Sequence, residues 1–388
     1  MKDDKITLAL LWSGYSGNVT SVNDIVLGLD KKRFNVIFIF LRGDAWKKNA
    51  LTEAGYEVLY LSDADKSGVF RFSILFRLVR ILKEHDVDVL HCHAHKATVY
   101  GAMAATLAGT PVVLAHVHGL GRSRNLRRKL TNLLLFRKID RIISVANSVK
   151  EDVLRNNWCL SAEKMAVLEN SVDYGRFAGV SISKADAKQM LGLPADVFVF
   201  GTVGRLAPTK GLAYLIEAFS KVKEKMPSAH LVLLGNGRCR AELEQQASNR
   251  SCRDSIHFSG HRGNIEQLLR GFDVFVLSSI AEGMPRAILE AMAAGIPCIA
   301  TETGGIPEII NGRDVGFLVK PRDSEGLAQM MINIANMPGD KLGEIVERAR
   351  ERIRTNFSHD VVTKKLENTY EMEMNRYYES HRRQKSNV

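Results

Sequence analysis

The chain has 388 residues, 45% of them hydrophobic and 25% charged, with a net charge of +11. That length exceeds what one hydrophobic core usually serves, so two domains are expected, and the composition is that of an ordinary soluble globular protein. Five scattered cysteines, Cys92, Cys159, Cys239, Cys252 and Cys298, form no Cys-x-x-Cys pair and argue against a disulfide framework; they read as reduced thiols in a cytoplasmic protein.

The opening "MKDDKITLALLWSGYSG" sets two Asp before a short apolar run and lacks a small-residue cleavage site, which predicts a first strand, Ile6 to Leu11, rather than a signal peptide. Strands follow at Asn35 to Phe40, Val58 to Leu61, Val87 to His91, Val112 to His116 and Arg141 to Val145. Helical patterns such as Ile74 to Glu84 and Thr98 to Leu107 lie between them. The most apolar window, Thr98 to Val117, is broken by Gly109-Thr110-Pro111, so no membrane span is expected. Near Tyr174 to Asp196 the pattern loosens, and the first domain is placed at 1–180.

The alternation then restarts. Strands are predicted at Val197 to Val203, His230 to Leu234, Ile256 to Ser259, Val274 to Leu277 and Pro297 to Ala300. Helices are predicted at Leu212 to Lys225, Arg240 to Ala247, Ile265 to Leu269 and from Pro285 onward. A second domain spans 181–360, and 361–388 forms a C-terminal segment whose polar end, from Arg376, should fray. Alternating strands and helices specify an α/β fold class, here two Rossmann-like doubly wound domains with a cleft between their carboxyl edges.

Candidate chemistry gathers in the second half. "EGMPRAILE" follows the strand Val274 to Leu277: Gly283 and Pro285 keep Glu282 on a loop, Pro285 suits a first helical turn, and Glu290 falls in the second turn. A Gly-containing loop leading into a helix offers free amides and the positive end of the helix dipole, an anion site with an acid on either side. "GTVGRLAPTKG" sends Arg205 and Lys210 from another strand end; a planar fork and a compact charge together suit a diphosphate. In the first half, Gly14 and Gly17 of "SGYSGNV" permit close approach of a ligand, without the third glycine of a dinucleotide fingerprint. His118, directly before Gly119, is the better candidate for a functional histidine. His91, His93 and His95 alternate in sequence but bring no fourth ligand of zinc-like spacing. Asp63-Ala64-Asp65 and Asp86-Val87-Asp88 read as turn and capping residues, so no metal is expected.

"GRLAPTKGLAYLIEAF", "HLVLLGNG", "IHFSGH", "EGMPRAILEAMAAGIPCIATETGGIPEII" and "GFLVKPRD" occur in one order across about residues 197 to 335. In these segments the chain strongly resembles the retaining GT-B glycosyltransferases of family 4 (glycosyl transferases group 1). The first half matches more loosely, through "DVDVLHCHAHKATVYGAMAA", "HVHGL", "DRIISVANSVKEDVL" and "VLENSVD". It departs at Ser13-Gly14 and Ser16-Gly17, where the family often has Gly-Gly, and at Asn170-Ser171-Val172-Asp173, where it often has Asn-Gly-Val-Asp. The resemblance implies that 1–180 binds the acceptor and 181–360 the nucleotide sugar, with a C-terminal helix able to return to the first domain. It further implies that Arg205 and Lys210 hold the donor diphosphate, Glu290 binds the ribose hydroxyls and Glu282 contacts the transferred sugar. Gly283 and Met284, before Pro285, would supply backbone amides, with Gly17 near the donor and His118 approaching its sugar. The nucleotide-diphosphate sugar would be a co-substrate, with no cofactor and no obligatory metal.

Charge bears on the acceptor. Residues 1–185 hold 27 Lys and Arg against 18 Asp and Glu, an excess of nine, which leaves only two for the remainder. The stretch Gly121 to Arg141 combines these cations with Leu130, Leu133, Leu134 and Phe136. It therefore suggests a peripheral position on the anionic inner face of the cytoplasmic membrane, a lipid-linked acceptor and no nucleic acid. The expected function is transfer of a sugar with retention of configuration in lipopolysaccharide or cell-surface polysaccharide assembly. The alternatives are a nucleotide-sugar epimerase of the same fold, a transferase acting on a small soluble acceptor, and a non-enzymatic sugar-nucleotide sensor.

Overall fold

The computed structural model describes residues 5–14, 25–43, 49–62, 70–121 and 125–386. Gly17, Asp63 and Asp65 lie outside them. The chain divides into two compact units. Unit 1 runs to Glu169 and is completed by the chain from Val362 onward; unit 2 is Asn170–Val361. Sequence patterning placed these divisions at 180/181 and 360/361.

Unit 1 is a seven-stranded parallel sheet. Its strands are β1 (Ile6–Trp12), β2 (Phe34–Phe40), β3 (Glu57–Tyr60), β4 (Val89–His93), β5 (Val112–Val117), β6 (Arg141–Ser144) and β7 (Met165–Val167), in the order β3-β2-β1-β4-β5-β6-β7. Helices cover both faces of such a sheet, which is why β1, β2 and β4 read as near-continuous apolar runs instead of alternating ones. β4 begins two residues later than the pattern suggested, because Asp86 turns the chain at φ 45° and Asp88 accepts a hydrogen bond from the Thr7 amide. Both acids therefore serve the turn and the first strand.

The long last helix, His359–Ser386, builds the core of unit 1 through Val362, Leu366, Tyr370 and Met374, packed with Leu8, Phe34, Phe38 and Leu114. Its polar groups fix the seat. Glu367 accepts from the Asp30 amide at 2.9 Å and from Arg33 at 3.0 Å. The Arg141 Nε donates to Glu373 at 2.7 Å, with both side chains more than nine-tenths buried. Helical structure persists through Ser386, beyond the point where polarity suggested fraying, and Tyr377 packs on the core cluster.

Unit 2 is a six-stranded parallel sheet of β8 (Phe198–Val203), β9 (Ala229–Leu234), β10 (Ile256–Gly260), β11 (Val274–Leu277), β12 (Cys298–Thr301) and β13 (Phe317–Val319), ordered β10-β9-β8-β11-β12-β13. Phe200, Phe219, Leu231, Val276 and Met331 lie in its core. The chain enters and leaves unit 2 side by side: the Val172 amide donates to Phe357 O and the His359 amide to Val172 O. Both sheets are doubly wound. The strand order reverses between β1 and β4 in unit 1 and between β8 and β11 in unit 2, and such switch points open a crevice at the carboxyl edge.

Candidate donor and acceptor sites

In unit 2 the crevice lies between the loops after β8 and β11. Leaving β8, the chain passes Arg205, makes a single 3-10 turn over Pro208–Lys210 and enters the helix Leu212–Lys225 through Gly211. Gly211 has φ +60°, and a Cβ there would meet Ser278 O at 2.1 Å, so no other residue lets the two loops touch. Their contact is cemented by Ile280 and Ala281 amides donating to Thr209 O, and by Ser278 Oγ donating to Lys210 O at 3.0 Å.

This contact brings Lys210 onto Glu282, across 72 positions of sequence, at 2.5 Å. Ser279 Oγ donates to the same carboxylate oxygen, Oε1, at 2.6 Å. Sequence reading singled out neither Ser279 nor the pair; only the closed loop shows them. Glu282 is 11% exposed at its side chain, and its second oxygen carries no partner among the described residues. A half-sequestered carboxylate with one oxygen anchored and one open is suited to read a sugar hydroxyl.

The turn that follows is held from both sides. Gly305 N donates to Gly283 O at 2.6 Å, and Asn170 Nδ2 donates to Met284 O at 2.6 Å. Asn170 therefore braces the turn, a role its place in "NSVD" gave no hint of. Gly304, at φ +58°, lets its backbone approach Glu282 O, where a Cβ would stand at 2.0 Å. Pro285 occupies the N-cap of the helix Arg286–Ala293 instead of its first turn, because its ψ of 123° is extended. Glu290 falls in the second turn with its carboxylate 3.8 Å from Arg286 Nε. Arg205 is exposed and makes no ion pair among the described residues. The structure thus joins Lys210, Glu282 and the Gly283-Met284-Pro285 turn directly, and sets Arg205 and Glu290 on the elements beside them.

In unit 1, His91, His93, His116 and His118 form a stack at the carboxyl ends of β4 and β5. His93 pairs in register with His116, and Trp12 of β1 stacks on His93 with centroids 4.0 Å apart. His118 stacks on His116 at 4.3 Å, and its Nε2 lies 3.2 Å from His93 Nδ1. His91 Nδ1 meets the Tyr370 hydroxyl at 2.8 Å. Burial holds His91 down to about 3 and His93 and His116 well below the usual histidine range, with mutual repulsion adding to it. The third histidine of this face is His116, not His95, since β4 stops at His93 and His95 starts the helix His95–Ala108. Among the described residues, His91, His93 and His116 are the one group whose ligand atoms could gather round a metal, within 4.8 Å of one another.

The apolar set of Gly121 to Arg141 also separates. Phe136 turns into the core, while Leu130 and Leu134 are 61% and 68% exposed and are joined by Leu126 at 70%. These three lie four residues apart along the helix Leu126–Leu135. No helix among the described residues is long and apolar enough to cross a membrane.

Comparison with known proteins agrees with this architecture. The model described as Glycosyltransferase Family 4 matches residues 15–176, and that of Glycosyl transferases group 1 matches residues 183–352. An Escherichia coli protein named UDP-Gal:alpha-D-GlcNAc-diphosphoundecaprenol alpha-1,3-galactosyltransferase is 32% identical over 295 residues, covering 73% of this chain and 75% of its own. Among solved structures, Anabaena Alr3699/HepE in complex with UDP superposes with a TM-score of 0.82 at 23% identity, over 95% of this chain and all of its own. A glycosyltransferase from Rickettsia africae gives 0.81 at 23% identity, over 96% and 99%. Both units therefore carry the Rossmann-like architecture of the GT-B fold, and the chain belongs to the family 4, or group 1, glycosyltransferases.

Proposed function

We propose that this glycosyltransferase moves a sugar from a nucleotide-diphosphate donor to a hydroxyl of a lipid-linked acceptor, with retention of anomeric configuration, during cell-surface polysaccharide or lipopolysaccharide assembly. The observation that carries the donor half is the Lys210–Glu282–Ser279 cluster at the β8/β11 switch point, with Arg205 beside it. Arg205 and Lys210 bind the diphosphate, Glu290 the ribose, and Glu282 the sugar through its open oxygen. Amides of Gly283 and Met284 and the helix after Pro285 stabilise the charge that builds on the leaving group. In the reaction, the acceptor oxygen bonds to the anomeric carbon on the face the diphosphate leaves. The carbon–oxygen bond to the phosphate breaks, and the acceptor proton passes to that phosphate. His118 is assigned to the donor sugar. No protein base and no metal is required by this route.

The lipid-linked acceptor draws on two observations. The relative just named acts, by its name, on a diphosphoundecaprenol-linked sugar. Leu126, Leu130 and Leu134 expose an apolar line flanked by Lys129, Arg137 and Lys138, with Phe72 and Phe76 at 66% and 64% exposure on another helix of unit 1. Apolar side chains among cations are the complement of an anionic lipid surface. The test is transfer from a panel of nucleotide sugars to short-chain polyprenyl-diphosphate sugars, with the product anomer read by NMR. Inverted product refutes retention, and epimerised donor without acceptor would make the protein an epimerase.

A further inference from the structure

A second site lies in unit 1, at the carboxyl edge where the strand order reverses. A cavity of about 320 Å³ is bounded by Ser13 after β1, by His95 and Lys96 after β4, by His116 and His118 of the β5 edge, and by Arg128. No carboxylate lines it among the described residues. Its floor is the start of the fourteen-residue helix His95–Ala108, which no side chain caps. The first amides of that helix have no intrahelical partner, and the dipole's positive end lies there. Ala94, the residue before it, is held at φ +69° and ψ 156°, a conformation that a non-glycine residue rarely adopts and that clusters at ligand sites.

A second, independent feature points to a ligand. His116 is 2% exposed, lines the cavity, and has neither ring nitrogen hydrogen bonded; His95 Nε2 is likewise buried without a partner. Lys96 and Arg128 line the cavity as well. Partial burial, then the neighbouring Arg42 and Arg71, hold the Lys96 ammonium below its usual range. An anion would relieve that crowding.

Resting on the reading of the chain as a transferase with a lipid-linked acceptor, we propose that this cavity seats the acceptor's phosphate group, the diphosphate of a polyprenyl-linked sugar. Lys96 and Arg128 supply charge, the amides at the start of His95–Ala108 supply directed donors, and His95 and His116 supply neutral ring donors. The helix that contributes Arg128 also carries the exposed line Leu126, Leu130 and Leu134, so one helix serves the phosphate with one face and the lipid with another.

The test uses the full chain with Arg205→Ala and Lys210→Ala, which removes the donor's phosphate ligands, and inorganic pyrophosphate as probe in calorimetry. Pyrophosphate should still bind, and adding Lys96→Gln and Arg128→Gln should weaken it at least tenfold, while Lys96→Arg retains it. In the otherwise native chain, the same two glutamines should leave UDP affinity unchanged, with thermal melts confirming folding. No binding of pyrophosphate, or binding indifferent to Lys96 and Arg128, overturns the proposal. Failure of every common nucleoside diphosphate, UDP included, to bind the native chain would overturn the donor assignment instead, which keeps the two readings apart. Competition identifies the carrier. Displacement of pyrophosphate by farnesyl diphosphate more readily than by N-acetylglucosamine 1-phosphate supports a lipid-linked acceptor, and the reverse order overturns the lipid carrier.

Discussion

Lys210 and Glu282 are joined by a 2.5 Å hydrogen-bonded ion pair that bridges the loops after β8 and β11. The cation proposed for the diphosphate and the acid proposed for the sugar are thus held on each other, with Ser279 donating to the same carboxylate oxygen. Such anchoring lets the site meet its ligand without reorganising.

Removing Lys210 or Arg205 by alanine should each delete a charge-assisted contact worth about 1.5 to 3 kcal/mol, roughly a ten- to hundredfold loss in affinity. The loss should appear with the free nucleoside diphosphate as well as with the sugar nucleotide. Calorimetry that shows nucleoside diphosphate affinity unchanged in both variants would refute the phosphate role.

The two acids should separate by what they contact. Glu290→Ala should weaken the bare nucleotide, whereas Glu282→Ala should chiefly lower kcat with an intact nucleotide, because its open oxygen is assigned to the transferred sugar, which a bare nucleoside diphosphate lacks. Measuring UDP affinity and steady-state transfer on both variants decides it; the opposite pattern reverses the assignment.

Association with vesicles should follow the outward face of the helix Leu126–Leu135. Replacing Leu126, Leu130 and Leu134 with Ser should abolish sedimentation with anionic vesicles. Replacing Lys129, Arg137 and Lys138 with Ser should weaken it by about 1 kcal/mol per cation and remove most of its salt dependence. Wild-type protein that ignores anionic vesicles at low salt would end the membrane reading.

Acid should destabilise unit 1 through its histidine stack. His91 takes up a proton near 6.5 when unfolded but only near 3 when folded, so its depressed value favours the folded state above pH 6.5 and that advantage is lost as pH falls from about 6.5 toward 3. By pH 4.5 the loss from His91 alone is about 2 to 3 kcal/mol, and His93 and His116 add to it in the same direction. His91→Gln, able to keep a hydrogen bond to Tyr370, should show a shallower decline between pH 7.5 and 4.5 in denaturant titrations. A decline as steep as the native chain's would show that the stack does not titrate this way.

Much of this architecture is written locally. Apolar runs of four to seven residues between helical periods give the order of strands and helices, and Gly-Met-Pro after β11 dictates a loop and a helix start whatever surrounds them. The positions of Lys210, Glu282 and Glu290 at strand ends and in a second helical turn were accordingly legible. The three-residue strands β7 and β13 were not, since three residues carry no measurable period and are strands only because a neighbouring edge pairs them.

Everything that depends on which elements become neighbours waited for the tertiary structure. The family resemblance assigns Lys210 and Glu282 to one donor site, and the β8/β11 adjacency brings the two side chains into contact. His116 joins His91 and His93 because β5 lies in register beside β4, while His95, nearer in sequence, is carried away by a helix. The family resemblance allows the final helix to return to the first domain, and the burial of Tyr370 against His91 and of Glu373 against Arg141 seats it there. Local periodicity encodes what each segment becomes, and the long-range pairing of strand edges and buried polar partners decides what each segment touches.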